Sequence, residues 1–319
     1  MTRTDIHTHL VPVPAADVLA AAGLRAAGGR LAAGEHIIGP PSLYAPERLV
    51  EWLARAGLER ALVSVPPPLY RQHLAREQAE RWVRALNDGL RELTRAHQAL
   101  VPLAYLPLEH PDLALAELGR LGETSVGFTA SAGGRSVSLA DDRLAPLWDG
   151  LVALDAPLVL HPGASPDERL EELYLGNLLG NPVETGLAAA QLLLGGVLER
   201  HPRLRVALVH CGGVLPAVLG RYQRGLDTDR PGVPRRDADL RGEAARLWVD
   251  CLAHDAGALD LAVDVVGEEH LLVGSDWPFP MGTDDPLALL AHRGPGVADR
   301  VAADNAAAFL GAAAGREEA

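Results

Sequence analysis

Four short stretches, far apart in the chain, carry side chains that bind metals and move protons. They are Asp5-Ile6-His7-Thr8-His9, Leu160-His161-Pro162-Gly163, Val209-His210-Cys211-Gly212-Gly213 and Gly274-Ser275-Asp276-Trp277-Pro278. On an extended strand side chains alternate between faces, so His7 and His9 project the same way. Imidazole suits zinc, iron, manganese or nickel, and a carboxylate adds a hard anionic ligand. His7, His9, His161 and Asp276 together leave a coordination position open for water or substrate, as catalytic centres require. A water on such an ion ionises near pH ~7 instead of about 15.7. His210 is the natural fifth member, because an ordinary imidazole pKa near ~6.5 suits a general base beside that water. Alternatively His210 is itself a ligand and another of the set stands behind it. Taken singly, each piece has a plainer use. Paired histidines near a terminus are often surface residues, His161 before Pro-Gly serves a turn, and Asp276 serves as a helix cap.

The elements that must gather these residues are legible as repeated βα units. Short Leu-rich and β-branched runs alternate with longer amphipathic stretches, the pattern of a parallel sheet. Strands are expected at Arg3–His7, Ala61–Val65, Leu100–Leu106, Ser125–Thr129, Leu158–His161, Arg205–His210, Leu247–Asp250 and Leu271–Ser275. Helices are expected over Arg71–Ala96, Pro182–Arg200 and Leu215–Gly225. Eight strands, each followed by a helix, predict an α/β (β/α)8 TIM barrel. The four chemical stretches then close strands one, five, six and eight, whose C-terminal ends converge on one mouth. Residues 11–45, rich in Ala, Gly and Pro, read as an insertion or lid after strand one, and residues 226–245 read as a surface loop. With no internal repeat or linker, residues 1–319 are expected to form a single domain.

Composition narrows the chemistry further. The 319 residues are 48% hydrophobic but only 4% aromatic, so the core must be mostly Ala, Val and Leu. Every one of the 29 basic residues is arginine. A Schiff-base lysine, a P-loop lysine and a carbamylated metal-bridging lysine are therefore all excluded. The net charge of −13 without a basic cluster argues against nucleic acid. No apolar run is long enough for a bilayer, and the N-terminus lacks the apolar core of a secretory signal. Two cysteines, Cys211 and Cys251, make no disulfide framework, so a cytoplasmic location is expected. Of the other histidines, His36 and His254 lie in loops within reach of the mouth. His73, His97, His110, His201, His270 and His292 are expected to face solvent.

The chain resembles the amidohydrolase superfamily, in the branch containing 2-amino-3-carboxymuconate 6-semialdehyde decarboxylase. The resemblance runs from DIHTHLVP through Leu86-Asn87-Asp88, the block LGNLLGNPVETGLAAAQLLLGGVLERHPRLRVALVHCGG and VGSDWPFPMG, to Asn305-Ala306-Ala307-Ala308-Phe309-Leu310. It implies one divalent metal on His7, His9, His161 and Asp276, zinc first and manganese second, with His210 as catalytic base. It also implies a homodimer in which Arg221 reaches the neighbouring subunit's site and binds a substrate carboxylate. From the residues alone, Arg221 reads as a solvated helix residue. Two departures bear on the substrate. The position of a second carboxylate-binding arginine falls on Ile37, with His36 beside it, and an aromatic after the strand-five His-Pro pair is Gly163 here. Isoleucine does not replace a bidentate arginine without changing the ligand.

The expected activity is non-oxidative decarboxylation of an unsaturated or aromatic carboxylic acid, ortho-hydroxy acids included. His210 or Asp276 would move the proton, and Arg221, Phe279, Trp277 and His36 would contact the small-molecule substrate. A metal-dependent hydrolase of a lactone, amide or C–C bond would use the same ligands and base. A non-catalytic barrel is the remaining alternative.

Overall fold

A computed structural model describes residues 2–318. Its first barrel strand, Thr4–His9, lies parallel to the second, Arg60–Ser64. Strand three is broken at Leu103: Leu100–Pro102 pairs with strand two, and Ala104–Leu106 pairs with strand four, Phe128–Ala132. Leu158–Pro162, Val206–Leu208, Trp248–Asp250 and Leu271–Leu272 follow as strands five to eight, all parallel. Parallel bridges from Asp5 to Val273 and from Thr8 to Trp277 join the last strand to the first. The ring is thus a (β/α)8 barrel, with all eight expected strands in place.

The barrel interior is filled by aliphatic side chains, as the low aromatic content requires. Ile6, Leu62, Leu103, Val159 and Val209 pack together, and Phe309 from the C-terminal helix lies against Trp248, with ring centroids 5.4 Å apart. The wider core, between strands and helices, is built mainly from Leu, Val and Ala. Two asparagines of the recognised motifs prove to be backbone clamps. The Asn87 amide accepts from Tyr105 N–H at 2.8 Å and donates to Tyr105 O at 3.1 Å, and Asn305 donates to the carbonyls of Glu268 and Leu271. Each supplies hydrogen bonds where a short strand would otherwise leave backbone groups without partners.

Expected helices form over Arg76–Thr94 and Leu215–Asp227, while the third divides into Asn181–Leu194 and Val197–Arg200. Residues 226–245 are mostly irregular but end in the helix Leu240–Ala244, whose N-cap Asp239 accepts from Arg241 N–H. The insertion is more ordered than a plain loop. It holds the helix Ala16–Ala21 and an antiparallel meander of Arg25–Ala27, Arg30–Ala33 and His36–Ile37.

Candidate metal centre

Strand one does not run regularly into the site. Asp5 pairs with Ala61 but Thr8 pairs with Val63, a register shift that places three residues opposite two. Such a bulge re-aims side chains locally. Below it Ile6 belongs to the aliphatic interior, and above it His7 and His9 both turn to the mouth. The Asp5 carboxylate accepts from His7 N–H at 2.8 Å and fixes the turn in the backbone.

His7, His9, His161 and Asp276 converge so that one ligand atom from each lies within 4.8 Å of the others, and all four residues are buried. The three rings are held in one tautomer. His7 Nδ1–H donates to Asp250 Oδ2 at 2.7 Å. His9 Nδ1 lies 3.1 Å from Ser64 Oγ, whose hydroxyl is directed to Thr8 O. His161 Nδ1 lies 3.1 Å from Pro162 O. With each Nδ1 committed as donor, each Nε2 presents a lone pair, the second-sphere arrangement typical of metal-bound histidine.

The Nε2 atoms of His7 and His9 lie 3.4 and 3.2 Å from Asp276 Oδ1, and none of the three has a hydrogen-bond partner. Lone pairs facing a carboxylate oxygen without a proton or cation between them would be costly in a buried site. The donor set of three imidazoles and a carboxylate fits a divalent transition-metal ion. Burial pushes His161 well below the usual imidazole value, helped by His9, and burial likewise lowers His9. For His7 burial is the largest influence and works downward as well, but the Asp250 hydrogen bond and the charges of Asp276, Asp250 and Asp5 together outweigh it and raise the pKa.

His210 stands beside this cluster without belonging to it. Its ring centroid is 5.2 Å from His7 and 5.3 Å from His161, and its Nδ1 is buried without a partner. Desolvation, reinforced by His7, lowers its pKa to about 4. The strand ends at Leu208, and both His210 and Cys211 adopt φ of 55°. Left-handed backbone costs about 1–2 kcal/mol per non-glycine residue, so this turn must be held. Gly213, at φ 60°, lies so close to the Pro182 carbonyl oxygen that a Cβ there would collide with it. Asp250 Oδ1 accepts from Cys211 N–H at 2.8 Å.

Asp250 is the functional residue that the sequence reading missed. One oxygen orients His7 and the other holds the turn that carries His210, so a single buried carboxylate positions both. The available signal was a charged residue closing the apolar run Leu247–Val249 at a barrel strand end.

The remaining candidates separate into those at the mouth and those away from it. Phe279 lies edge-on to His9, with centroids 5.4 Å apart, and lines a cavity of about 530 Å³ over the cluster. Gly163 lines the same cavity. A Cβ on Gly163 would collide with Ser131 Oγ and stand 2.9 Å from Gln72 Oε1, so this position has no room for a side chain as it stands. A second lobe of about 350 Å³ meets the first at His210 and Asp276, and His254 stands in its wall. Trp277 does not face the cavity over the cluster. Its side chain is 8% exposed and packs against Trp52, and only its carbonyl serves the site, by accepting from His9 N–H. His36 and Ile37 are exposed on the meander and line neither lobe. Arg221 is exposed on the helix Leu215–Asp227, with no hydrogen-bond or ion-pair partner among the described residues.

The other histidines are only partly solvent-facing. His201 is buried and pairs with Asp149, while His110 and His270 are half-buried against the carbonyls of Leu74 and Val266. His73 and His292 are exposed as expected, and His97 is half-buried.

Comparison with known proteins agrees with this geometry. The chain is 28% identical over 253 residues to 2-amino-3-carboxymuconate-6-semialdehyde decarboxylase of Dictyostelium discoideum, covering 77% of this chain and 70% of that protein. It is 31% identical over 243 residues to γ-resorcylate decarboxylase of Rhodococcus jostii, covering 70% and 74%. Its fold superposes with a TM-score of 0.81 on 5-carboxyvanillate decarboxylase of Novosphingobium aromaticivorans, solved with manganese and a nitrobenzoic acid. That match has 19% identity and covers 96% of this chain and 97% of the other. The amidohydrolase profile matches residues 4–312. The chain belongs to the amidohydrolase family, in the branch that holds the 2-amino-3-carboxymuconate-6-semialdehyde decarboxylases.

Proposed function

We propose that this protein is a metal-dependent, non-oxidative decarboxylase of an aromatic carboxylic acid. The observation that carries the reading is the convergence of buried, unpartnered Nε2 and carboxylate atoms beside a neutral, separately held His210. The relatives named above are decarboxylases, which favours this reading over hydrolysis. His7, His9, His161 and Asp276 hold one divalent ion, with zinc expected first. Manganese is the second candidate, because a structural neighbour carries it. When bound, the ion supplies a Lewis acid and a template for a carboxylate with an ortho hydroxyl.

The chain's own residues do the rest. Phe279 and the wall around Pro67 and Pro68 offer apolar surface to an aromatic ring. His210 is neutral at rest, with its pKa lowered to about 4. Once it has taken a proton from solvent it is a strong acid, the character needed to deliver that proton to a ring carbon. Loss of the carboxyl group as CO2 then leaves that proton in its place. Asp276, at the same convergence, is the other group in reach that could relay a proton taken from the substrate's ortho hydroxyl. Catalysis by such a positioned group contributes about 10²–10⁴-fold.

The protein is further proposed to act as a homodimer in which Arg221 enters the neighbouring site. Of the ten exposed large apolar side chains among the described residues, six fall between Leu173 and Leu187, on the cavity wall and the helix Asn181–Leu194. That helix packs on the one bearing Arg221. Residues 1–319 act as one unit, with 11–45 flanking the mouth through Gly39 beside Phe279. Cys211 and Cys251 are buried and unpaired, in keeping with a cytoplasmic protein. Among the described residues, no helix is long and apolar enough to cross a membrane.

The test is product analysis with metal-loaded protein and ortho-hydroxybenzoic acids. Release of CO2 and a phenol lacking the carboxyl carbon is expected. Ring-opened or chain-cleaved acids would show a hydrolase instead.

A further inference from the structure

The two lobes that meet at His210 and Asp276 are unusual in their charge. Among the described residues, neither is lined by an arginine, and the chain has no lysine. The basic side chains in their walls are His161, His210 and His254. The larger lobe instead carries Asp167, Glu168 and Glu171. Asp167 is already paired, since its carboxylate accepts both Nε and an η nitrogen of Arg169 in a bidentate contact. That arginine is 88% exposed and is neutralised by the pair. Glu168 and Glu171 have no ion pair among the described residues, so they leave two net negative charges at the rim. Arg71, a guanidinium without an acidic partner among the described residues, stands against Gly23 of the insertion and not in either lobe. The remaining polar wall groups, Ser165, Asn177 and Asn181, are neutral.

We infer that the site selects monocarboxylic acids: one carboxylate at the metal cluster, every other ring substituent uncharged, and a second carboxylate rejected. This rests on the decarboxylase reading for its chemistry but not for its charge argument. A second carboxylate in the larger lobe would be desolvated without a guanidinium to receive it and would face Glu168 and Glu171. Even with Arg221 supplied by a second copy, one cation meets two unpaired glutamates. The walls favour neutral substituents instead, with Pro67, Pro68 and Phe279 in one lobe and Leu252 and Leu261 in the other.

The test compares two probes that differ by one methyl group and one charge, 5-carboxysalicylate and its 5-methyl ester, by calorimetric titration of zinc-loaded protein at fixed ionic strength. The ester is expected to bind about ten-fold more tightly, the size of two partly screened like-charge contacts. In a Glu168→Gln/Glu171→Gln double variant the gap should shrink to about three-fold, because the diacid gains. A diacid that binds as tightly as the ester, a gap unchanged in the double variant, or no binding of either probe would overturn the inference. CO2 release is measured separately in the same samples. Selective binding without CO2 from the ester or from salicylate would sink the decarboxylase reading and leave the charge selection standing.

Discussion

The metal centre and the cavity wall above it are built in opposite ways. His7, His9, His161, Asp276 and Asp250 are each no more than 6% exposed. All but Asp276 sit on barrel strands, Asp276 N–H is bound to His7 O, and every ligand ring has an Nδ1 partner. The wall over residues 164–179 contains no strand. It has one short turn, Glu168–Leu170, and a π-helical turn, Gly176–Gly180, while Leu173 and Tyr174 are 82% and 63% exposed. Both of those residues also hold positive φ. Under the proposed function, reaction type would rest on buried parts tied to the barrel, and substrate choice on an exposed segment that can be rebuilt without disturbing the strands.

The sharpest way to break this contrast is to remove a ligand. His161→Ala should strip the ion and lose turnover by more than the ~10–100-fold that outer partners are worth. Elemental analysis of protein purified without added metal checks it, and full metal content in the variant would mean that the cluster has been misassigned. His210→Ala comes next. Turnover should fall by about 10²–10⁴-fold while the ion stays bound, whereas loss of metal would make His210 a ligand.

Asp250→Asn probes the link between the two. Both Asp250 oxygens accept hydrogen bonds, one from His7 and the other from Cys211 N–H. An amide has one acceptor and one donor. If its oxygen keeps Cys211, its NH2 faces His7 Nδ1 and forces the proton onto Nε2, the atom needed for the metal. Metal affinity should drop by about 10–100-fold, measured by competition with a chelator. Unchanged affinity would show that the His7 tautomer is set elsewhere.

The same contrast explains what was legible in the sequence. Strand ends could be read because hydrophobic runs mark the strands and the barrel rule gathers their C-terminal ends. His7, His9, His161, Asp276 and His210 followed from that rule alone. Asp250 did not, because its partner His7 is 243 residues away and no local spacing announces the pair. Nor did the bulge, since alternation predicts the shared face of His7 and His9 but not that Ile6 and His7 both point inward. Trp277 follows Asp276, whose φ is 58°, and its ring goes to Trp52 rather than to the mouth. His36 was placed near the mouth by its loop and Ile37 by the family resemblance, yet the meander holds both exposed and outside both lobes. Loop side chains answer to turn geometry, which residue type alone does not give.

The smallest expected effect concerns the part of the wall that one chain cannot supply. Arg221→Ala should raise KM for a monocarboxylic substrate by about ten-fold, the loss of one charge-assisted contact to its single carboxylate, with kcat little changed. A simple KM effect does not say which subunit the arginine serves, but mixing variants does. Co-refolding Arg221→Ala with His210→Ala yields mixed dimers, each with one site that keeps His210. If Arg221 acts across the interface, that site receives the arginine of the His210→Ala subunit, and low-KM activity appears in a mixture of two impaired proteins. If Arg221 serves its own site, or no site, every surviving site in the mixture still behaves as Arg221→Ala. Size-exclusion chromatography with light scattering shows whether dimers are present to be mixed, and a monomer would remove any role for Arg221 across an interface. The exposed apolar run from Leu173 to Leu187 would then need another partner.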